Sequence, residues 1–372
     1  MKNTIRVSAA ALALAVPLLT HAAQIVVGQV GPMSGLEAAQ GRAYAAGMQL
    51  AFGNANAAGV NGHTFTLVRK DDGGRPEDTI AGTKELLEKD KPLVLAGYFG
   101  SRNVADLIKA GLLEKDKIAL VGYRTGEIRP DVPWVYNVRA GLRDELNKVV
   151  EHLATIGITR LGLLYEEGPG APALLAAADE AAGKAKVAIG TKAAYPAGTA
   201  SIGPAVDTFL KQKPQAILMV ATGAAAAGFI EQYRAGGGTA QLFAHSGADI
   251  EQLSKRLSEE QMQGVAIAQV TPSPYKISSR IAKEFADTVA KTKDLEVPVS
   301  YAMMEGFITG KVIVEAVRRQ GARPTREGIA SALEAMDRLD LGGYLVGFRP
   351  GVRTGSRFVE LSIISGTGKI RQ

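Results

Sequence analysis

Short apolar runs alternate with longer amphipathic segments along almost the whole chain, in two successive series. Residues 24–30 read as a strand, 36–57 as a helix, 64–69 as a strand and 76–88 as a helix. A strand at 92–96, a helix at 102–114 and a strand at 118–121 complete the first series. This order implies a parallel sheet with helices on both faces. The alternation then restarts. Residues 144–155 predict a helix, with Asp144 and Glu145 in the first turn, where the helix dipole favours acids. Strands at 160–164, 187–190, 216–220, 241–244 and 264–268 follow, with helices at 172–183, 202–212 and 225–234. Helices dominate from 278 onward (278–291, 300–319 and 325–335), and 344–348 and 358–364 return to β character. The expected fold class is α/β: two doubly wound parallel-sheet lobes joined by a hinge. A length of 372 residues suits two such cores better than one. Segments 133–141 and 271–274 are candidate crossovers. The expected division puts 23–140 with 272–342 in lobe 1, and 141–271 with 343–372 in lobe 2.

Residues 1–22 read as an export signal. Lys2 and Arg6 supply positive charge, 7–19 form an apolar stretch, and Thr20-His21-Ala22 offers small residues for cleavage after Ala22. The apolar run is shorter than the ~20 residues needed to span a bilayer. The competing reading is a buried N-terminal helix or a retained anchor. No Cys follows the run, which argues against lipid attachment. A second uncharged stretch, 214–230, changes period midway and reads as a buried strand, a loop and a helix start. The expected location is the periplasm. The chain has no cysteine, so neither disulfides nor thiol chemistry is available. Its net charge is +6, and without Lys2 and Arg6 it is +4. Those charges are interspersed, with no dense basic run carrying aromatics, so nucleic acid is not an expected partner.

The loop after the first strand, Gly28 to Gly35, is not a GxGxxG phosphate turn, and no GxxxxGK[ST] occurs. Gly236-Gly237-Gly238 follows a helix and reads as a stop. His63, His152 and His245 share no metal-ligand spacing, and no cofactor or metal is expected. His245 and Ser246 are a formal base and nucleophile, but strand neighbours point apart. Asp71-Asp72 reads as a cation site or, preferably, as a solvated loop or helix-start charge pair. Gly100-Ser101 falls between a strand and a helix. Free N–H groups and a hydroxyl there seat an anion, or simply cap the helix. Tyr123-Arg124-Thr125 follows the fourth strand, and Arg124 is either a carboxylate fork or half of a surface ion pair.

These stretches, taken in order, resemble the leucine/isoleucine/valine-binding type of periplasmic solute-binding protein, the type I component of ABC importers. The resemblance rests on 25–35, on Asn56 to Gly62, on Asp71-Asp72 with Pro76, and on Leu95 to Ser101. It implies a cleft between two lobes, with Ser101 and the Arg124-Thr125 position holding a ligand carboxylate. It further implies Gln40 on the first loop, Thr222 in the other lobe and Tyr301 as an aromatic wall. Gly100, Tyr123 and Ser246 join them as candidates. Two departures stand out. The family's acid after the strand 241–244 is replaced by His245-Ser246-Gly247-Ala248, and an aromatic is missing from Glu166 to Gly170. A carboxylate without an amine, such as an aromatic or short organic acid, is therefore one expected ligand. The function implied is capture of a small solute, amino acid or carboxylate, by a monomer that delivers it to an ABC permease in the inner membrane. The alternatives are a ligand-sensing partner of a receptor with the same fold, or an enzyme. For an enzyme the chain offers no nucleotide loop, metal set or nucleophile–base pair.

Overall fold

The computed structural model describes residues 23–127, 131–364 and 370–371. The export-signal reading falls outside them. The first series forms β1 (Gln24–Gly31), α1 (Ala38–Ala58), β2 (Thr64–Asp71), α2 (Pro76–Glu85), β3 (Val94–Phe99), α3 (Ser101–Lys109), α4 (Leu112–Lys115), β4 (Leu120–Arg124) and β5 (Val135–Tyr136). The second forms α5 (Leu142–Thr155), β6 (Arg160–Glu166), α6 (Ala171–Ala185), β7 (Ala188–Tyr195), α7 (Gly203–Gln212), β8 (Ala216–Val220), α8 (Gly223–Ala235), β9 (Gln241–Ala244), α9 (Ile250–Arg256), α10 (Glu259–Met262) and β10 (Ala266–Gln269). Then come α11 (Arg280–Lys291), α12 (Tyr301–Gln320), α13 (Arg326–Glu334), β11 (Leu339–Asp340), β12 (Leu345–Val346), β13 (Glu360–Ile364) and β14 (Ile370–Arg371).

The fold is two parallel sheets flanked by helices, as the alternation predicts. One sheet runs β2-β1-β3-β4-β5, all parallel. The other runs β14-β13-β10-β9-β8-β6-β7, parallel from β10 to β7, with β13 antiparallel to β10. Every residue of β3, β4 and β8 is buried, as befits strands covered on both faces. Alternation, interrupted at Gly97 with φ +68, divides β3 between two cores. Val94 and Ala96 face α1 and α12, while Leu95 and Tyr98 face the core under α3. The chain passes between the sheets after β5, after β10 and before β13. Helices α11 to α13 return to the first sheet, where Phe285, Phe307 and Leu333 join its core.

Some local readings change. The helix expected at 102–114 is two helices, because Gly111 takes a left-handed turn at φ +67 between them. The strand expected at 187–190 extends to Tyr195. The region 344–348 pairs only at Leu345–Val346, against β11. Its Tyr344, Val346 and Phe348 pack into the core under the first sheet. Asp72 is fully buried rather than solvated. It accepts hydrogen bonds from Thr79 Oγ1 at 2.7 Å and Gly74 N at 2.8 Å, so it braces the loop into α2.

Helices α1 and α12 cross at glycines. A methyl on Gly306 would lie 2.0 Å from the Tyr44 carbonyl oxygen, and one on Gly47 would lie 1.9 Å from that of Met303. Backbone atoms cannot yield as a flexible side chain does, so the helices must move apart. Gly306→Ala is expected to cost about 1–3 kcal/mol. A urea unfolding midpoint equal to that of the unmodified protein would contradict this packing.

Candidate ligand-binding site

Open parallel sheets bind ligands beyond the carboxyl ends of their strands, where the strand order reverses. In the first sheet that reversal lies between β1 and β3; in the second it lies between β6 and β8. The loops that follow these four strands meet around one cavity of about 280 Å³. Leu36 and Glu37 come from the loop after β1, and Gly100 and Ser101 from the end of β3. Glu166 ends β6 and Gly168 follows it, and Ala221 and Thr222 follow β8.

The turn out of β3 is made by Gly100 at φ +93, and Ser101 then opens α3. Gly100 N donates to the Arg124 carbonyl at 3.0 Å, tying the ends of β3 and β4 together. Ser101 Oγ accepts from Gly126 N at 3.1 Å. Arg124 ends β4 and is only 6 % exposed. Its guanidinium lies 5.7 Å from the centre of the Phe99 ring. Its Nη2 donates to the Ser246 carbonyl of the second lobe at 3.0 Å. Its Nε is 3.4 Å from Glu305 Oε2, and Nη1 has no hydrogen-bond partner among the described residues. A buried guanidinium N–H without an acceptor is costly.

Arg124 is one end of a buried chain of charges. Glu305, on α12, lies between Arg124 and Arg139 Nη1, the latter 3.5 Å away. Arg139 Nη2 reaches Glu145 Oε1, on α5, at 2.7 Å and donates to Ser246 Oγ at 2.5 Å. Ser246 N donates to Glu145 Oε2 at 2.7 Å. The alternating order, two arginines and two glutamates, leaves no net charge in the low-dielectric interior.

The structure brings together Gln40, Gly100, Ser101, Arg124, Thr125 and Thr222 on the cavity wall. It places Tyr123, Ser246 and Tyr301 elsewhere. Tyr123 is next to Arg124 in a strand, so its side chain points to the opposite face, into the core with Leu95 and Val104. Ser246 serves the charge network instead. The Tyr301 ring sits in the second lobe's core, and its hydroxyl shares a 3.3 Å hydrogen bond with Ser362 Oγ. His245 and Ser246 are not a catalytic pair. His245 Nδ1 accepts from Gly247 N at 3.3 Å and Nε2 lies 3.0 Å from the Ala221 carbonyl, which sets a neutral, Nε2-protonated ring. Burial also lowers its pKa.

Sequence reasoning missed three wall groups. Tyr195 ends β7, beside β6, and supplies a ring that the loop after β6 lacks; its hydroxyl accepts from Thr222 N at 3.2 Å. Glu37 and Glu166 bring carboxyls to the wall, so the missing acid after β9 does not leave the cleft without one. Burial pushes Glu37 up to about 7, helped by Asp249 and opposed by Arg124. Burial also raises Glu166, with Glu127 adding to it and Gly198 N opposing it. The run of alanines and glycines around these positions gave no period by which to find them. Among the described residues, no group of three or more His, Asp or Glu is placed to hold a metal ion, and no helix is long and apolar enough to cross a membrane.

The architecture and the interlobe cavity define a type I periplasmic binding protein. Residues 24–358 match the family described as periplasmic binding protein, and the chain belongs to it. A substrate-binding periplasmic protein from Ralstonia solanacearum shares 37% identity and superposes with a TM-score of 0.88, covering 94% of this chain and 99% of that one. A possible leucine/isoleucine/valine-binding protein from Rhodopirellula baltica SH 1 has the same fold, with a TM-score of 0.86 at 24% identity over 96% of this chain and 98% of its own. An amino acid binding protein from Pseudomonas aeruginosa is 33% identical over 127 residues, spanning 32% of this chain and about a third of that protein.

Removing Glu305 would leave Arg124 and Arg139 buried without their shared counter-charge. Glu305→Ala is expected to destabilise the fold by about 3–5 kcal/mol. Chemical denaturation checks this, and a loss below about 1 kcal/mol, the range of exposed pairs, would contradict it.

Proposed function

We propose that this chain is the substrate-binding component of an ABC importer, exported to the periplasm by residues 1–22, and that it captures a small carboxylate between its lobes. It acts as a monomer that passes the solute to an inner-membrane permease, and it performs no chemistry on it. The observation that carries the reading is Arg124, a residue of the interlobe cavity wall whose buried Nη1 has no acceptor among the described residues. A ligand carboxylate would complete that fork, with Ser101 Oγ and the N-terminus of α3 beside it. Phe99, Leu174, Val220 and Tyr195 supply apolar wall for the remainder of the solute. The ligand is an amino acid or a small organic or aromatic acid.

Contacts from both lobes favour the closed state, so binding and closure are one equilibrium. Micromolar capture requires about 8 kcal/mol net, of which a charge-assisted bond supplies about 1.5–3 kcal/mol. Arg124→Gln should therefore weaken binding of the anionic ligand roughly 10- to 100-fold, and Ser101→Ala by less. Calorimetric titration of a panel of amino acids and organic acids measures both. Unchanged affinity in a folded Arg124→Gln variant would refute the carboxylate anchor.

A further inference from the structure

The seam between the lobes gathers carboxyl groups beyond those of the charge network. Glu37, from the first lobe, faces Asp249 and the start of α9 in the second. Its Oε2 accepts from Gln40 Nε2 at 2.6 Å and from Gln252 Nε2 at 3.5 Å, across the seam. Gln40 Nε2 also lies 3.5 Å from the Gly247 carbonyl. Glu37 Oε1 is buried and has no hydrogen-bond partner among the described residues. Glu251 shows the same pattern. Its Oε1 accepts from the Tyr275 hydroxyl at 2.6 Å, on the segment leading from β10 to α11, and from Tyr301 N at 2.9 Å, at the start of α12. Its Oε2 is buried with no donor among the described residues, and its carboxyl lies beside that of Asp249. Asp249 sits between the two acids and caps α9, accepting from Gln252 N at 2.9 Å.

The charges that face these groups are few. Around Glu37 they are Asp249, Arg124 and the Tyr195 hydroxyl; around Glu251 they are Asp249, Tyr275 and Tyr301. Arg124 is the one cation in that set, and Glu305 already shares it. Three carboxyl groups face one shared cation in a buried seam, and Glu37 Oε1 and Glu251 Oε2 have no donor among the described residues. The ligand that resolves both problems is a proton.

We propose that protonation of the seam carboxyls Glu37 and Glu251 latches the lobes closed, so that closing takes up protons and is favoured in acidic surroundings. The proposal rests on the capture reading only in treating lobe separation as the functional motion. Burial and Asp249 hold both acids well above the usual carboxylate range in this arrangement. With the lobes apart, water returns to Glu37 and its value falls toward the ordinary 4.5. The closed state then binds the extra proton, so its advantage is complete below about 4.5 and is lost as pH rises through about 7.

The absence of cysteine makes the test direct. Lys115→Cys and Lys211→Cys place one spin label on each lobe at exposed positions. Pulsed electron spin resonance then reads the interlobe distance in the ligand-free mature chain. Between pH 8 and pH 5.5 the closed-to-open ratio should rise about tenfold or more. Glu37→Gln mimics the protonated form, so it should shrink that change, and Glu37→Gln with Glu251→Gln should abolish it. A ratio that stays constant with pH in the parent protein overturns the latch, as does an equal pH response in the folded double variant. If a variant does not fold, the parent's pH profile still decides. Because no solute is present, failure here leaves the capture reading to calorimetry.

Discussion

The contact between the two halves of this protein centres on a chain of four buried charges. Arg124 ends a strand of the first sheet, Glu305 lies on a helix packed against that sheet, Arg139 lies on a crossing segment, and Glu145 begins the second half. Ions so deep in protein must be matched, because desolvation costs more than a loose pair returns. The match here requires both halves, since Ser246 closes the chain from the second one. The network leaves Arg124 Nε and Nη1 without a hydrogen-bond acceptor among the described residues, at a residue that lines the cavity.

The rest follows from topology. Each sheet reverses its strand order once, and each reversal opens a crevice at the carboxyl ends of its strands. Joining two such sheets end to end places the crevices face to face. The wall is then made of strand ends, loop residues and helix starts, and the loops among them tolerate changes in sequence that a sheet interior would not. That division explains how structures sharing 24% identity or less keep this fold over nearly their whole length.

Much of this was legible in the sequence, for physical reasons. Strands buried on both faces must be continuously apolar: the run at 216–220 coincides with β8, while the run at 92–96 lies ahead of β3, which extends through Gly97 to Phe99. Gly100 and Ser101 follow from the helix start after β3, whereas Thr222 comes from the family resemblance. The direction of a side chain could not be read in this way. Tyr123 and Arg124 are neighbours, yet one fills a core and the other lines the cavity, because strand pleating separates them. Asp72 carries the pattern of a solvated loop, but Thr79 and Asn103, at distant positions, bury and satisfy it. The roles of Glu37 and Tyr195 depend on contacts across the seam, which no local pattern encodes.

A crystal structure with a bound solute taken from the calorimetric panel tests the central claim most directly. The account predicts the solute enclosed between the loops that follow β1, β3, β6 and β8, with a carboxylate oxygen about 2.7–2.9 Å from Arg124 Nη1. A solute bound outside that cavity, or one that turns an apolar end toward Arg124, would contradict it.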